Sequence, residues 1–339
     1  MSILVTGGAG YIGSHTVIKL LEDGYKVIVL DNLSNSSKKA IEMVERITNN
    51  KIDFIIGDIL DTNILNDIFR KNKVESVIHF AGLKSVSESI NKPIKYYKNN
   101  ISGTLNLINA MLKAEVYNFI FSSSATVYGL PEKKPLTEDC RTGGTTNPYG
   151  ESKLIVEEML KSISNAEPKF NATCLRYFNP VGAHESGLIG EDPNGIPNNL
   201  VPYLLQVAIG RLEYVSIYGN DYPTPDGTGI RDYIHVMDLA EGHLAALKKT
   251  GSIDGVSVYN LGTGKGYSVF EIINVLSKVS NKDIKYKIAP RRTGDIAECW
   301  SDSSLANKEL GWKAQKDLSE MIRDSWNWQV KNPNGYKKN

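Results

Sequence analysis

The sequence predicts an α/β protein in which a doubly wound parallel sheet is followed by a second, smaller mixed α/β domain. Three observations predict it. Short, wholly apolar runs alternate with longer helical patterns through the first half. A glycine-rich turn joins the first apolar run to the first helical pattern. Near Pro180 the alternation stops and a stretch rich in Gly, Pro and Asn begins. Uninterrupted apolar runs suit strands covered on both faces, and strands separated by helices cross over right-handedly into one parallel sheet.

Taken in order, residues 3–5, 27–30, 54–56, 76–80 and 118–122 read as strands, with helices such as 14–22 and 102–113 between them. Residues 181–199 have little periodicity and read as a long loop or domain junction. A helix follows at 201–209, a strand at 215–218, and a polar Pro/Gly stretch at 221–228. Further helices fit 238–249, 269–279 and 318–330, with a short apolar strand at 256–261. The expected division is 1–180 for the first domain and 181–339 for the second, partly interleaved, with 215–219 and 256–261 able to join the first.

Composition narrows the class. At ~150 residues per domain, 339 residues suit about two domains. A net charge of +1 argues against a bulk basic surface for nucleic acid and against an acidic tail. With 23% charged and 41% hydrophobic residues the chain is an ordinary globular one. The three cysteines are too few and too scattered for a disulfide framework, and the five histidines have no ligand spacing, so no metal site is expected. The first residues lack a basic and apolar leader, and no later run is long enough to span a bilayer. A cytoplasmic protein without a membrane partner is expected.

Gly8-Ala9-Gly10-Tyr11-Ile12-Gly13 matches G-x-G-x-x-G between a strand and a helix, the context that gives the motif meaning. Gly8 allows the tight turn, Gly10 lets backbone approach a pyrophosphate, and Gly13 lets the helix pack on the sheet, while the helix N-terminus offers free N–H groups. Asp31 ends the second strand, where a carboxylate accepts from a ribose 2′-OH and repels a 2′-phosphate. The cofactor read from this Rossmann pattern is NAD rather than NADP.

Ser124 follows an apolar strand, at the edge where open α/β sheets bind ligands. Tyr149 and Lys153 stand at i and i+4, on one face of a helix that Pro148 opens. A free phenol, at a pKa of ~10, is a poor base at neutral pH. A neighbouring ammonium and a cationic nicotinamide both favour the phenolate, which makes Tyr149 a candidate general base for an alcohol or sugar hydroxyl.

These residues resemble the extended short-chain dehydrogenase/reductase superfamily. Longer blocks are similar to the UDP-glucose 4-epimerase family within it: residues 4–15, 77–84, 119–129, 176–182, 195–200 and 229–239, spread over essentially the whole chain. The resemblance implies a tightly held NAD. Its contacts would include Gly7, Gly10, Tyr11, Ile12 and Gly13 at the loop, Asp31, Asn32, Asn35 and Ser36 at the adenosine ribose, and Asp58 and Ile59 near adenine. Phe80, Ala81, Gly82, Lys84, Asn99, Ser124, Tyr149, Lys153 and Phe178 would line the remainder. It also implies a UDP-hexose substrate held by Ser124, Tyr149, Asn179, Asn199, Leu200, Ser216, Tyr218, Arg231, Arg292, Asp295 and Cys299. Arg231 and Arg292 suit a diphosphate and Asp295 a ribose hydroxyl, although Arg291-Arg292 by itself also reads as a solvated basic pair. A homodimer is implied as well, through apolar stripes at 102–113 and 154–161 that by themselves equally suit a core.

The expected reaction is C4 epimerisation of a UDP-hexose through a 4-keto sugar, with Tyr149, Lys153 and Ser124 as the catalytic residues. One departure bears on substrate range. Family members restricted to plain sugars typically carry Tyr where this chain has Cys299, so a pocket that also admits a 2-acetamido group is expected unless neighbours refill the space. Related 4,6-dehydratases carry an Asp-Glu pair after the strand-end hydroxyl, where this chain has Ala125 and Thr126. A net oxidoreductase would need an exchangeable cofactor, and a non-catalytic dinucleotide sensor would have no use for Tyr149 and Lys153 on one helix face.

Overall fold

The computed structural model describes residues 1–292 and 294–336. Strands β1 (Ser2–Thr6), β2 (Lys26–Asp31) and β3 (Asp53–Ile56) alternate with helices α1 (Tyr11–Glu22), α2 (Lys38–Thr48) and α3 (Thr62–Lys71). After β4 (Val74–His79), the short helices α4 (Val86–Asn91) and α5 (Pro93–Tyr97) lead through a π-helical turn, Lys98–Ser102, into α6 (Gly103–Lys113). Then come β5 (Asn118–Ser124), a 3₁₀ turn (Ala125–Tyr128), α7 (Pro148–Ala166), β6 (Asn171–Tyr177) and β7 (Asn179–Val181).

The remainder comprises α8 (Leu200–Ala208), β8 (Val215–Tyr218), β9 (Ile230–His235), α9 (Val236–Lys249), β10 (Val256–Leu261) and β11 (Gly266–Ser268). It ends with α10 (Val269–Ser280), β12 (Tyr286–Ala289), β13 (Glu298–Cys299), α11 (Ser304–Leu310) and α12 (Leu318–Lys331).

Seven strands form one parallel sheet in the order β10-β6-β5-β4-β1-β2-β3. Side chains alternate across it. Ile3, Val5, Val27 and Val29 pack into one core, whereas Leu4, Ile28, Leu30 and Val77 pack into the other. Both faces are therefore covered, which is why the strand sequences are apolar throughout. Chain order reverses between β1 and β4, so a crevice opens at the carboxyl ends of these strands.

Two sequence expectations meet the structure differently. Val256–Leu261 is the edge strand of the main sheet, but Val215–Tyr218 is not part of it and pairs with Tyr286–Ala289 in a separate two-stranded sheet. Its partner is exposed and polar on one side, so no local signal marks the pairing. The sixth strand, Asn171–Tyr177, has no uninterrupted apolar run because Thr173 and Arg176 interrupt it, yet both are buried. The carboxyl-terminal elements share a third core, in which Val201, Leu204, Leu205, Ile272, Leu276, Met321 and Ile322 interlock.

Candidate active site

The crevice is a cleft of about 940 Å³. Its lining brings together Gly7, Gly10, Tyr11, Ile12, Gly13, Asp31, Asn32, Asn35, Ser36, Ile59, Phe80, Ala81, Gly82, Lys84, Asn99, Tyr149, Lys153 and Asn199. The floor is glycine by necessity. Gly7 has φ +72°, and a Cβ there would stand 2.6 Å from the Ala81 nitrogen. A Cβ on Gly13 would stand 2.3 Å from the Gly7 carbonyl oxygen. The turn thus brings bare backbone and the N-terminus of α1 up to the cleft, a cradle for a pyrophosphate.

Asp31 is buried at the end of β2 and serves the loops around it as well as the cleft. It accepts from the Ala9 N–H (3.0 Å), the Leu33 N–H (2.9 Å) and the Ser36 hydroxyl (2.7 Å). Asp58 does not line the cleft, and its carboxylate instead accepts from the Asn32 side-chain amide at 2.8 Å. Its neighbours Gly57 and Ile59 are the lining residues on this side. The π-helical turn brings Asn99 to the cleft while Asn100, buried, ties Leu83 to the Ser152 hydroxyl (2.9 Å). Single π turns of this kind commonly serve functional sites.

Helix α7 starts with a firm cap. The Asn147 side chain accepts from the Gly150 N–H at 2.9 Å and Pro148 occupies the first turn. Tyr149 and Lys153 consequently face the cleft from the first turns of one helix. Lys153 Nζ donates to the Ser122 carbonyl at 2.5 Å and lies 6.0 Å from the Tyr149 ring centroid.

Burial governs the protonation balance of the pair. Burial pushes the Tyr149 phenol above its ordinary value, and the neighbouring Ser124 hydroxyl offsets this only in part. The same burial lowers Lys153 to about 8, against the pull of Glu157. Desolvation is the largest influence on both groups, raising the phenol and lowering the amine.

Ser124 lies at the end of β5, one residue before the 3₁₀ turn. Its Oγ accepts from both the Thr126 N–H (3.2 Å) and the Thr126 hydroxyl (3.0 Å). With its acceptor capacity used, its own proton is directed elsewhere. Ala125 and Thr126 leave no acid at this turn.

The remaining expected residues lie outside the cleft lining. Asn179 donates to the Asp232 carbonyl (2.7 Å), and Leu200 begins α8. Ser216 and Tyr218 lie on β8, and the Arg292 guanidinium sits 4.8 Å over the Tyr218 ring while bonding Asp295 at 2.8 Å. Arg231 and Cys299 are register partners in β9 and β13. Cys299 packs with Ala125, Cys140 and Leu154 on a cluster of Val127, Tyr128, Leu136 and Phe178. Burial pushes its thiol up to about 11, so it is a neutral, space-filling side chain. None of these, nor Ser124, lines the cleft itself.

Two lining residues carry roles that the sequence reading missed. Tyr177, at the end of β6, donates its hydroxyl to His243 Nε2 at 2.5 Å, while His243 Nδ1 bonds the Leu239 carbonyl at 2.8 Å. Glu191, in the aperiodic 181–199 stretch, pairs with Lys84 (3.2 Å) and accepts from the Asn199 amide (3.1 Å). That stretch crosses the cleft, tied also by Tyr11 to the Gly182 carbonyl (2.7 Å) and Asn194 to the Ser34 carbonyl (3.3 Å). A hydroxyl at a strand end could have flagged Tyr177, but nothing local marks Glu191. Among the described residues no cluster of His, Cys, Asp and Glu could hold a metal.

Comparison with known proteins agrees with this geometry. Residues 4–325 match the family model described as GDP-mannose 4,6 dehydratase. A curated Haemophilus influenzae protein named UDP-glucose 4-epimerase is 62% identical over 337 residues, 99% of this chain and 100% of that one. The structure of UDP-glucose 4-epimerase from Bifidobacterium longum in complex with NAD+ and UDP superposes with a TM-score of 0.96 at 56% identity, covering 99% of this chain and 100% of that chain. The UDP-Glc/GlcNAc 4-epimerase of Campylobacter jejuni gives 0.85 at 39% identity, with 97% and 99% covered. In the turn after Ser124 this chain carries Ala125 and Thr126, with no carboxylate. Full-length identity of this order, on a cleft with this loop and this Tyr–Lys face, places the chain in the UDP-glucose 4-epimerase family.

Proposed function

We propose that this chain inverts C4 of UDP-hexoses, interconverting UDP-glucose and UDP-galactose with NAD held in the cleft. The observation that carries the reading is that Tyr149 and Lys153 line the same cleft as the glycine loop and Asp31. The residues fit NAD: bare backbone at Gly7 and Gly13 where a Cβ would clash, and a carboxylate at the end of β2. The cofactor, when bound, supplies a carbon that takes hydride from C4 and gives it back.

Tyr149 removes the 4-OH proton as that hydride leaves, and a 4-keto sugar results. Ser124, its oxygen held by Thr126, donates to the 4-oxygen. Lys153 would hold the nicotinamide ribose and, together with the cofactor's positive charge, would favour the phenolate that burial opposes. Arg231 and Arg292 hold the diphosphate by charge-assisted bonds while the hexose turns over, so that C4 presents its other face to the returning hydride, and Tyr149 gives its proton back to the 4-oxygen. The 181–199 stretch, tied across the cleft by Glu191, supports retention of the cofactor through the cycle.

The test is incubation with UDP-glucose and UDP-galactose, no NAD added, and product identification by NMR. Interconversion with deuterium at C4 retained is expected. Washout of that deuterium into water, or a 4-keto-6-deoxy product, overturns the reading.

A second reading concerns range. Cys299 puts a small thiol in the cluster beside Phe178 and Ala125, and a neighbour at 39% identity is named UDP-Glc/GlcNAc 4-epimerase. We infer that UDP-N-acetylglucosamine is also a substrate. We further infer a cytoplasmic homodimer that pairs the α6 and α7 faces. Leu105, 44% exposed on α6, supports the pairing, and three free cysteines support the compartment. Among the described residues no helix is long and apolar enough to cross a membrane.

A further inference from the structure

An ion pair is buried directly behind the Tyr149–Lys153 face. Glu157, one turn beyond Lys153 on α7, has no solvent exposure. Its Oε1 accepts from the Ser123 hydroxyl (2.5 Å) and from Arg176 Nε (3.0 Å), and its Oε2 accepts from Arg176 Nη2 (2.6 Å). Ser123 immediately precedes Ser124 on β5, and Arg176 immediately precedes Tyr177 on β6. Neighbouring strand residues point to opposite faces, so Glu157 grips both strand ends from behind the cleft.

The anchor extends further. The Arg176 guanidinium lies 4.7 Å over the Tyr128 ring, and the Tyr128 hydroxyl donates to Asn260 Oδ1 on β10 at 2.6 Å. Ion pairs in such surroundings give little net stability over apolar packing of the same volume. Stability alone is therefore a poor reason for one here.

Lys153 is otherwise short of anions. From β5 it meets the Ser122 carbonyl and the Phe121 ring, with Nζ 4.8 Å from the centroid. From β4 it faces His79, which burial, with a smaller push from Lys153, lowers to about 3 and so keeps neutral. From β6 the Tyr177 phenol is neutral, its pKa raised by burial. Tyr149 shares its own helix. Glu157 is the carboxylate in this set, with Arg176 the cation beyond it.

We propose that Glu157 is a positioning residue for the reaction, holding the ends of β5 and β6 against α7 and supplying the charge that keeps buried Lys153 an ammonium. Burial lowers Lys153 to about 8, and Glu157 is what opposes a further fall. Without it the amine would lose its proton within the neutral range and stop favouring the phenolate. The kinetic half rests on the epimerase reading; the charge on Lys153 does not.

The test is a pH titration of the full chain carrying ¹³C-labelled lysine, with the Lys153 resonance identified by Lys153→Met. In Glu157→Gln the Lys153 midpoint should fall by about one pH unit, the influence of a single near charge. It should stay below wild type in Glu157→Gln/Arg176→Met, which removes the stranded cation. The alkaline limb of kcat for UDP-galactose should move with it, with KM little changed. Ser123→Ala keeps the charge, so it should leave the midpoint in place and lower kcat ~3- to 10-fold by releasing the strand end.

An unmoved midpoint in folded Glu157→Gln overturns the proposal. So does a double variant that regains the wild-type midpoint, and a Ser123→Ala enzyme with wild-type kcat overturns the positioning half. A wild-type protein that does not convert UDP-galactose would sink the functional reading, while the titration would still decide the charge.

Discussion

Thr126 donates twice to Ser124 Oγ, through its backbone N–H at 3.2 Å and its hydroxyl at 3.0 Å. The residue two positions beyond the strand-end serine thus orients it. Both lone-pair directions of Ser124 are taken, which turns its proton toward the Tyr149 side of the site. Thr126→Val keeps the shape and removes one donor. At about 1 kcal/mol for a hydrogen bond, kcat should fall ~5-fold with UDP affinity unchanged. Steady-state kinetics and UDP binding by calorimetry check this; wild-type kcat would show that the hydroxyl does not orient Ser124.

Tyr149→Phe removes the proton acceptor and leaves the ring in place. Turnover should drop ~10²- to 10⁴-fold while UDP binding survives. Near-native turnover would reassign the base.

Lys153→Ala tests the partner through pH. Burial already pushes the Tyr149 phenol up, opposed by the Ser124 hydroxyl, and a nearby ammonium favours the phenolate once the base ionises. Removing the cation raises the phenol further, so the acid limb of the rate profile should move to higher pH. An unchanged limb would separate the two groups.

Three buried histidines give the fold a defined acid sensitivity. Burial holds His15 and His79 at about 3 and His243 at about 4. His79 bridges Thr6 (2.6 Å) and Thr104 (2.9 Å) as a neutral ring. An unfolded histidine titrates near ~6.5, so between that pH and about 4 the unfolded chain binds more protons than the folded one. The stability from these groups is complete above that point and falls as pH drops through the window. Urea unfolding should show lower stability at pH ~5 than at pH ~7, with proton uptake on unfolding. Equal stability at the two values would contradict neutral burial.

Cys299→Tyr adds a phenol ring against the cluster of Val127, Tyr128, Leu136 and Phe178. Turnover of UDP-N-acetylglucosamine should fall at least ~10-fold relative to UDP-galactose, the scale on which pocket sterics discriminate. Competition kinetics with the two sugars measures the ratio, and an unaltered ratio would assign the acetamido space elsewhere.

The sequence by itself determined the features whose chemistry is local. The glycine loop is readable because one tight turn and one helix N-terminus contain it, and Asp31 because it ends the next strand. Tyr149 and Lys153 are readable because helical spacing alone places them on one face behind the Asn147 cap. Both faces of the main sheet are apolar, so strands β1 to β5 are plain in the chain. Tertiary structure decided what depends on distant partners. The β6 strand carries a buried arginine paired with the distant Glu157, and Val215–Tyr218 pairs with a segment some seventy residues away. Glu191 is drawn to the cleft by Lys84, and the Tyr149 phenol is set by a burial that no spacing encodes. Backbone periodicity is a short-range property, whereas desolvation and ion pairing depend on which remote groups the fold brings within a few ångströms.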